Sequence, residues 1–119
     1  MLIIFEYVTS LALRYILLKF AHFQKLDHIA TAAELPCWHG SEIDLGIMEA
    51  MYLHSCAAAH SCDWPSDIFG TLIRSHDLLK QSLRIEPPFA FLPEGLGLGV
   101  EPDLEAVSEY LINQIEVVN

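Results

Sequence analysis

Leu35-Pro36-Cys37-Trp38-His39-Gly40-Ser41-Glu42-Ile43-Asp44-Leu45-Gly46-Ile47 is the stretch on which the fold turns. Pro36 to Gly40 reads as a short strand, bounded by proline before it and by Gly40-Ser41 after it. Ser41 lies three residues before Asp44, a spacing like that of a capping box. Glu42 and Asp44 would place negative charge at the positive end of the next helix dipole. That helix carries Ile43, Ile47, Ala50, Met51 and the Ala57-Ala58-Ala59 run and should reach about His60. Its small residues allow close packing on a sheet, so the stretch announces an α/β repeat.

On the N-terminal side, Leu11 to Glu34 contains neither Pro nor Gly, and apolar residues recur at Leu13, Ile16, Leu17, Phe20, Phe23, Leu26, Ile29 and Ala33. That spacing predicts a helix. Leu2 to Val8 is a candidate strand, with Thr9 or Ser10 to cap the helix after it. Glu6 and Arg14 interrupt this apolar start and no basic leader precedes it, so a buried strand and helix are expected rather than a signal peptide or a membrane span.

On the C-terminal side, Cys62 to Asp67 is loop-like and short helical turns are expected as far as Leu79. Leu83-Arg84-Ile85 and Phe89-Ala90-Phe91, joined by Glu86-Pro87-Pro88, predict a small hairpin. Gly95, Gly97 and Gly99 break regular structure. Asp103 to Ile115 predicts a closing helix, with Pro102 before its first turn and Leu104, Val107, Leu111 and Ile115 on one face.

Composition narrows the function classes. With 119 residues, 53% of them hydrophobic and 18% charged, the chain is too apolar for a disordered tail and suits one compact unit. Six Lys plus Arg against sixteen Asp plus Glu give a net charge of −10, which repels phosphate backbones and anionic lipid surfaces. Neither nucleic acid nor a membrane is an expected partner. Cys37, Cys56 and Cys62 are an odd number at no disulfide-framework spacing and read as reduced thiols of a cytoplasmic protein. His54, Cys56, His60 and Cys62 superficially resemble a metal cluster, but the two histidines point in different directions on a helix and zinc sites use other spacings. Gly95-Leu96-Gly97-Leu98-Gly99 lacks the Lys-Ser/Thr or βαβ context of a phosphate loop.

The run from Leu35 to Ile47, with its Gly40-Ser41 and Asp44-x-Gly46 spacing, resembles the seventh barrel strand and following helix of the enolase superfamily, in its mandelate racemase and muconate lactonizing branch. Cys62-Asp63 to Gly70 is similar to the eighth-strand region, and Leu83-Arg84-Ile85 with Pro93 to Val100 to the hairpin and tail. The resemblance covers about Gln24 to Tyr110. It implies an α/β fold: a partial TIM-type barrel (seventh strand, helix, eighth-strand region) with a C-terminal hairpin and helix. The barrel portion would span 24–80, the hairpin and closing helix 81–119, and 1–23 is an unmatched strand and helix, all within one unit.

The resemblance also implies proton abstraction next to a carboxylate, with magnesium stabilising the enolate. The family's metal ligands lie on the third, fourth and fifth strands, and a common base lies in a Lys-x-Lys on the second. A whole barrel takes about 250 residues. The lysines here are Lys19, Lys25 and Lys80, so no Lys-x-Lys exists. The resemblance therefore implies a C-terminal fragment of a magnesium-dependent isomerase, lactonizing enzyme or dehydratase, inactive alone. No cofactor is expected on this chain by itself, and a small carboxylate substrate only when the barrel is complete. Its partner would be the missing barrel portion or a second copy, since a half-barrel leaves open strand edges and an apolar face.

Among site residues, the family picture points to His39 as the catalytic candidate, because this branch uses a strand-seven histidine paired with an aspartate from strand six. The family histidine aligns with Gly40, one place over, which turns the side chain to the other side. In the first thirty residues the partner aspartate has no candidate except Asp27, on a helix. Ser41, Glu42 and Asp44 share the barrel mouth as substrate-binding candidates, or simply cap the helix. Asp63, a further substrate-binding candidate, and Asp67 lie near where the family's eighth-strand carboxylate helps bind the enolate oxygen, or cap a loop beside Pro65. The rival reading is a non-catalytic protein-interaction module that reuses the barrel remnant.

Overall fold

The computed structural model describes residues 20–41 and 44–112. The expected strand at Leu2 to Val8, the start of the first helix, Glu42 and the end of the closing helix lie outside these residues.

Helix α1, Phe20–Ala32, buries Phe23, Asp27 and Ala30, one face at helical spacing, with Leu26 half-buried beside them. Ile29, expected on the buried face, is 63% exposed, because the stripe runs through Asp27 instead. The helix closes with Glu34 in the left-handed region (φ 54°). Glu34 N–H donates to Thr31 O (3.1 Å) and Leu35 N–H to Ala30 O (2.9 Å), the paired bonds that satisfy the last carbonyls of a helix.

Residues 35–41 then run alongside residues 61–67. Cys37 N–H donates to Ser61 O at 2.7 Å and Trp64 N–H to Cys37 O at 3.4 Å, while further on Ser41 N–H donates to Asp67 Oδ1 at 2.7 Å. The numbers rise together on both sides, so the two segments are parallel. The expected strand at Pro36 to Gly40 is therefore an extended segment without a regular ladder. Backbone bonds join the two near Cys37, but at the far end the Ser41 and Asp67 side chains take over.

Helix α2, Gly46–Ala58, crosses between these two segments. It starts later than the sequence suggests, with Leu45 at its N-cap and no side-chain cap, so the capping role expected of Ser41 and Asp44 is corrected. Asp67 engages the first and Tyr52 the second. Gly46 sits where a Cβ would lie 2.5 Å from Leu79 Cδ1 and 3.0 Å from Asp77 O, and its N–H donates to Asp77 O. Only glycine fits this close approach of the helix start to the later chain.

Helix α3, Gly70–Ile73, is the expected short turn. Strands β1, Ile85–Glu86, and β2, Phe89–Ala90, form the antiparallel hairpin, with Ile85 opposite Ala90 and a cis peptide between Pro87 and Pro88. Gly95, Gly97 and Gly99 all take positive φ. The chain then returns past itself: Leu79 bridges Pro102 antiparallel, flanked by bonds from Lys80 N–H to Glu101 O and Asp103 N–H to Leu78 O. Helix α4, Leu104–Glu109, is capped by Asp103, whose carboxylate accepts from Glu105 and Ala106 N–H. Its buried residue is Ala106, while Leu104 and Leu111, expected on the packed face, are exposed.

The core has two parts. Ala50, Tyr52 and Leu53 of α2 pack with Ile68, Leu79 and Leu83, and Phe23 and Ala30 of α1 pack with Cys37. The architecture is α/β, with helices beside two parallel extended segments and one small antiparallel sheet. Among the described residues no helix is long and apolar enough to cross a membrane.

Candidate functional site

The ends of the two parallel segments are clamped through side chains. Ser41 N–H donates to Asp67 Oδ1 and Ser41 Oγ donates to Asp67 O at 2.8 Å. Close behind on each segment, Ser66 Oγ donates to His39 O. Three hydrogen bonds therefore tie the two segments together at the end that leads into α2. At the start of α2, Asp44 Oδ2 accepts from Tyr52 Oη at 2.6 Å, within the range of a charge-assisted bond.

His39 lies behind this clamp, with only 1% of its surface exposed. Alternation along the segment turns Cys37 and His39 to the same side, toward the helices. The imidazole sits between Phe23 of α1 and Tyr52 of α2, each ring centroid 5.1 Å away. Nδ1 is 2.9 Å from Gly40 O, so Nδ1 carries the proton and donates, leaving a bare lone pair on Nε2. Nε2 is buried and has no hydrogen-bond partner. Burial pushes the imidazole's pKa down; the Gly40 carbonyl and the Asp67 carboxylate push the other way and do not prevail.

The structure brings Ser41 together with Asp67, and Asp44 with Tyr52. It does not bring Asp63 to them. Asp63 lies near the start of the segments, its N–H on Ser61 O, and lines a small cavity of about 270 Å³ with Pro36 and His60. Four residues of extended chain, roughly 13 Å, separate its level from that of Asp67.

Asp27 has a different task from the pairing considered for it. Its carboxylate, 4% exposed, accepts from Ser61 N–H and Ser61 Oγ, both at 2.8 Å, and from His60 N–H at 3.0 Å. Burial alone would raise its pKa, but the Ser61 and His60 hydrogen bonds outweigh that and hold the carboxyl below the usual range. It bolts α1 to the chain leaving α2. A second buried carboxylate, Glu49 on α2, accepts from Thr71 N–H (2.9 Å) and Thr71 Oγ1 (2.7 Å) and pairs with Arg74 Nη2 at 3.1 Å. Neither was legible as an anchor, because each partner lies more than twenty residues away in the chain.

The superficial metal cluster comes apart. His54 bonds Leu98 O through Nε2 at 3.1 Å, and His60 gives its backbone N–H to Asp27. Burial pushes the Cys56 thiol up to about 11 and the Cys62 thiol up to about 12. Among the described residues no three His, Cys, Asp or Glu side chains gather as a metal cage. Asp27, Glu49 and Asp67 already accept protein donors, so this donor set does not fit a magnesium ion.

Residues 20–107 match the family model described as Enolase C-terminal domain-like. The chain belongs to this family. It is 36% identical over 85 residues to muconate cycloisomerase 1 of Rhodococcus opacus, a match covering 71% of this chain and 23% of that protein. A chloromuconate cycloisomerase of Cupriavidus necator is 32% identical over 90 residues, covering 76% and 24%. Among solved structures, a muconate lactonizing enzyme from Klebsiella pneumoniae superposes with a TM-score of 0.66 at 24% identity, over 72% of this chain and 24% of that one. A muconate cycloisomerase from Pseudomonas fluorescens gives 0.64 at 23%, over 69% and 23%. The chain thus has the enolase C-terminal domain-like fold and spans about a quarter of the length of the curated relatives it matches.

Proposed function

We propose that this chain is the C-terminal portion of a muconate-cycloisomerase-type enzyme: residues 35–41, α2 and residues 61–67 are the seventh strand, its helix and the eighth-strand region of a barrel completed by other polypeptide. The parallel course of the two extended segments on either side of a crossing helix carries this reading, since parallel neighbours joined through a helix are the repeating unit of such barrels. Catalysis is assigned to the complete barrel, where magnesium and a base would act on a small carboxylate substrate such as muconate. The chain alone is inactive. Ser41 and Asp67, clamped together at one end of the segments, are its contribution to the mouth, with Asp44 beside them and Glu42, adjacent in sequence, as a further substrate-binding candidate. His39 supports that end from the helical side, and Asp63 serves the loop. Three free thiols support a reducing, cytoplasmic setting.

The test is to supply what is missing. The purified chain is mixed with the Rhodococcus opacus muconate cycloisomerase from which the matching C-terminal region has been deleted, and muconate turnover is followed with magnesium. Restored turnover, absent from either piece alone, is the expected result. Turnover by the chain alone, or failure of the pieces to associate, counts against the reading.

A protein-interaction module is the second reading, favoured by an apolar cleft of about 740 Å³ between α2, residues 62–69 and the hairpin. Trp64, Leu72, Phe89 and Leu92 line it and are exposed. A stable monomer that ignores the truncated relative would support that reading.

A further inference from the structure

We propose that His39 is an acid-responsive latch: neutral, it holds α1 and α2 onto the extended segment 35–41, and gaining a proton on Nε2 it loosens α1. The geometry has three parts. The ring is 1% exposed and wedged between Phe23 of α1 and Tyr52 of α2. Nδ1–H is already committed to Gly40 O. Nε2 faces no acceptor, so a proton arriving there from solvent would create a buried N–H bearing positive charge and no partner.

The charged and titratable groups on the surrounding elements do not offer that partner. On α1, Asp27 is filled by Ser61 and His60 donors. On α2, Tyr52 gives its hydroxyl to Asp44, Glu49 holds Thr71 and Arg74, and the Cys56 thiol is held neutral by burial. On 61–67, Cys62 is neutral for the same reason, and Asp67 is the carboxylate whose field favours the imidazolium, but it accepts from Ser41 N–H. On its own segment, Cys37 points its thiol at Leu35 O. Burial accordingly outweighs Asp67, and the direction of the imidazole's shift is downward.

Linkage sets the sign. A histidine whose folded-state pKa is lowered binds fewer protons folded than unfolded, so stability is full above the ordinary pKa and falls as pH drops through it. Asp27 responds in a different range, because its carboxyl is held below the usual one and keeps its bonds until the solution is much more acidic. Mild acid therefore opens the His39 contact first, while the Asp27 bolt stays closed.

The test uses the full chain at pH 7.5 and 5.5, above its isoelectric point of about 4.8. The unfolding constant from urea titration is compared with that of His39→Phe, which keeps a ring between Phe23 and Tyr52 but cannot titrate. From pH 7.5 to 5.5 the wild-type constant should rise more than the variant's, by up to about tenfold. Parallel pH dependences in the two proteins overturn the proposal. Should the variant not fold, amide exchange on the wild type decides: after correction for intrinsic rates, α1 amides should exchange faster at pH 5.5, by up to about tenfold. Unchanged protection of α1 between the two pH values overturns it equally.

Discussion

Replacing Asp27 by Ala removes one buried carboxylate and strands three donors: Ser61 N–H, Ser61 Oγ and His60 N–H. A hydrogen bond to a charged group contributes about 1.5–3 kcal/mol, and an unsatisfied buried donor costs about 1–3 kcal/mol. These do not add in full, since His60 is exposed and water can reach its N–H. A net loss of about 3 kcal/mol is expected, a large share of the roughly 5–15 kcal/mol that holds a domain together. With a urea m-value of about 1–3 kcal/mol per molar, the midpoint should fall by roughly 1–3 M. Asp27→Asn, which keeps one acceptor oxygen but turns an amide N–H toward donors, should fall between Ala and wild type. The acid limb adds a check. The folded carboxyl lies below its usual value, so its stabilisation is complete above about pH 4 and is lost as pH falls through the lowered pKa. Asp27→Ala should lack that limb. A midpoint shift below about 0.3 M, or an unchanged acid limb, would refute the assignment of Asp27 as the bolt between α1 and the chain after α2.

Four further outcomes are expected. Gly70→Ala should destabilise by about 2 kcal/mol, because its Cβ would lie 2.2 Å from both Glu49 Oε1 and Arg74 Nη2 and push apart a buried pair; thermal unfolding measures it. Arg74→Met should cost about 3 kcal/mol by leaving Glu49 buried without its cation, and Glu49→Gln added to it should recover part of the loss, both read by urea titration. Ser41→Ala should weaken the clamp to Asp67 by about 1 kcal/mol in the same titration, since the hydroxyl bond is lost while the backbone N–H bond remains. Cys56 and Cys62, with thiols raised to about 11 and about 12, should react with iodoacetamide at neutral pH at least about a hundredfold more slowly than free cysteine, as read by mass spectrometry.

Local signals in the sequence located the elements better than the contacts. The hairpin is legible because β-forming residues flank Pro87-Pro88, and the helix through Ala50 because nothing in it breaks helical spacing. Pro102-Asp103 marks the start of α4, where Asp103 caps as such residues do. Ser41 and Asp44 carry an equally good local signal for capping, yet Asp67 and Tyr52 capture them. Their partners are tertiary, and tertiary contacts overrule a weak local preference. The same holds for α1, where periodicity put Ile29 inside and the family picture offered Asp27 only as the candidate partner of a histidine; three donors from residues 60 and 61 claim its carboxylate, and Ile29 is exposed. Alternation along the extended segment turns the His39 ring toward Phe23 and Tyr52. No rule of spacing would have shown that its Nε2 ends without a partner.

If 35–41, α2 and 61–67 are part of a barrel that other polypeptide must complete, the solution mass is where it shows most directly. Light scattering of the purified chain, with and without magnesium, should give a discrete multiple of 13.4 kDa, because the open edges of the parallel segments seek partners. Adding the truncated muconate cycloisomerase should replace that species with a mixed complex. A stable monomer of 13.4 kDa, indifferent to magnesium and to the truncated relative, would contradict the barrel reading and mark the chain as a self-sufficient domain.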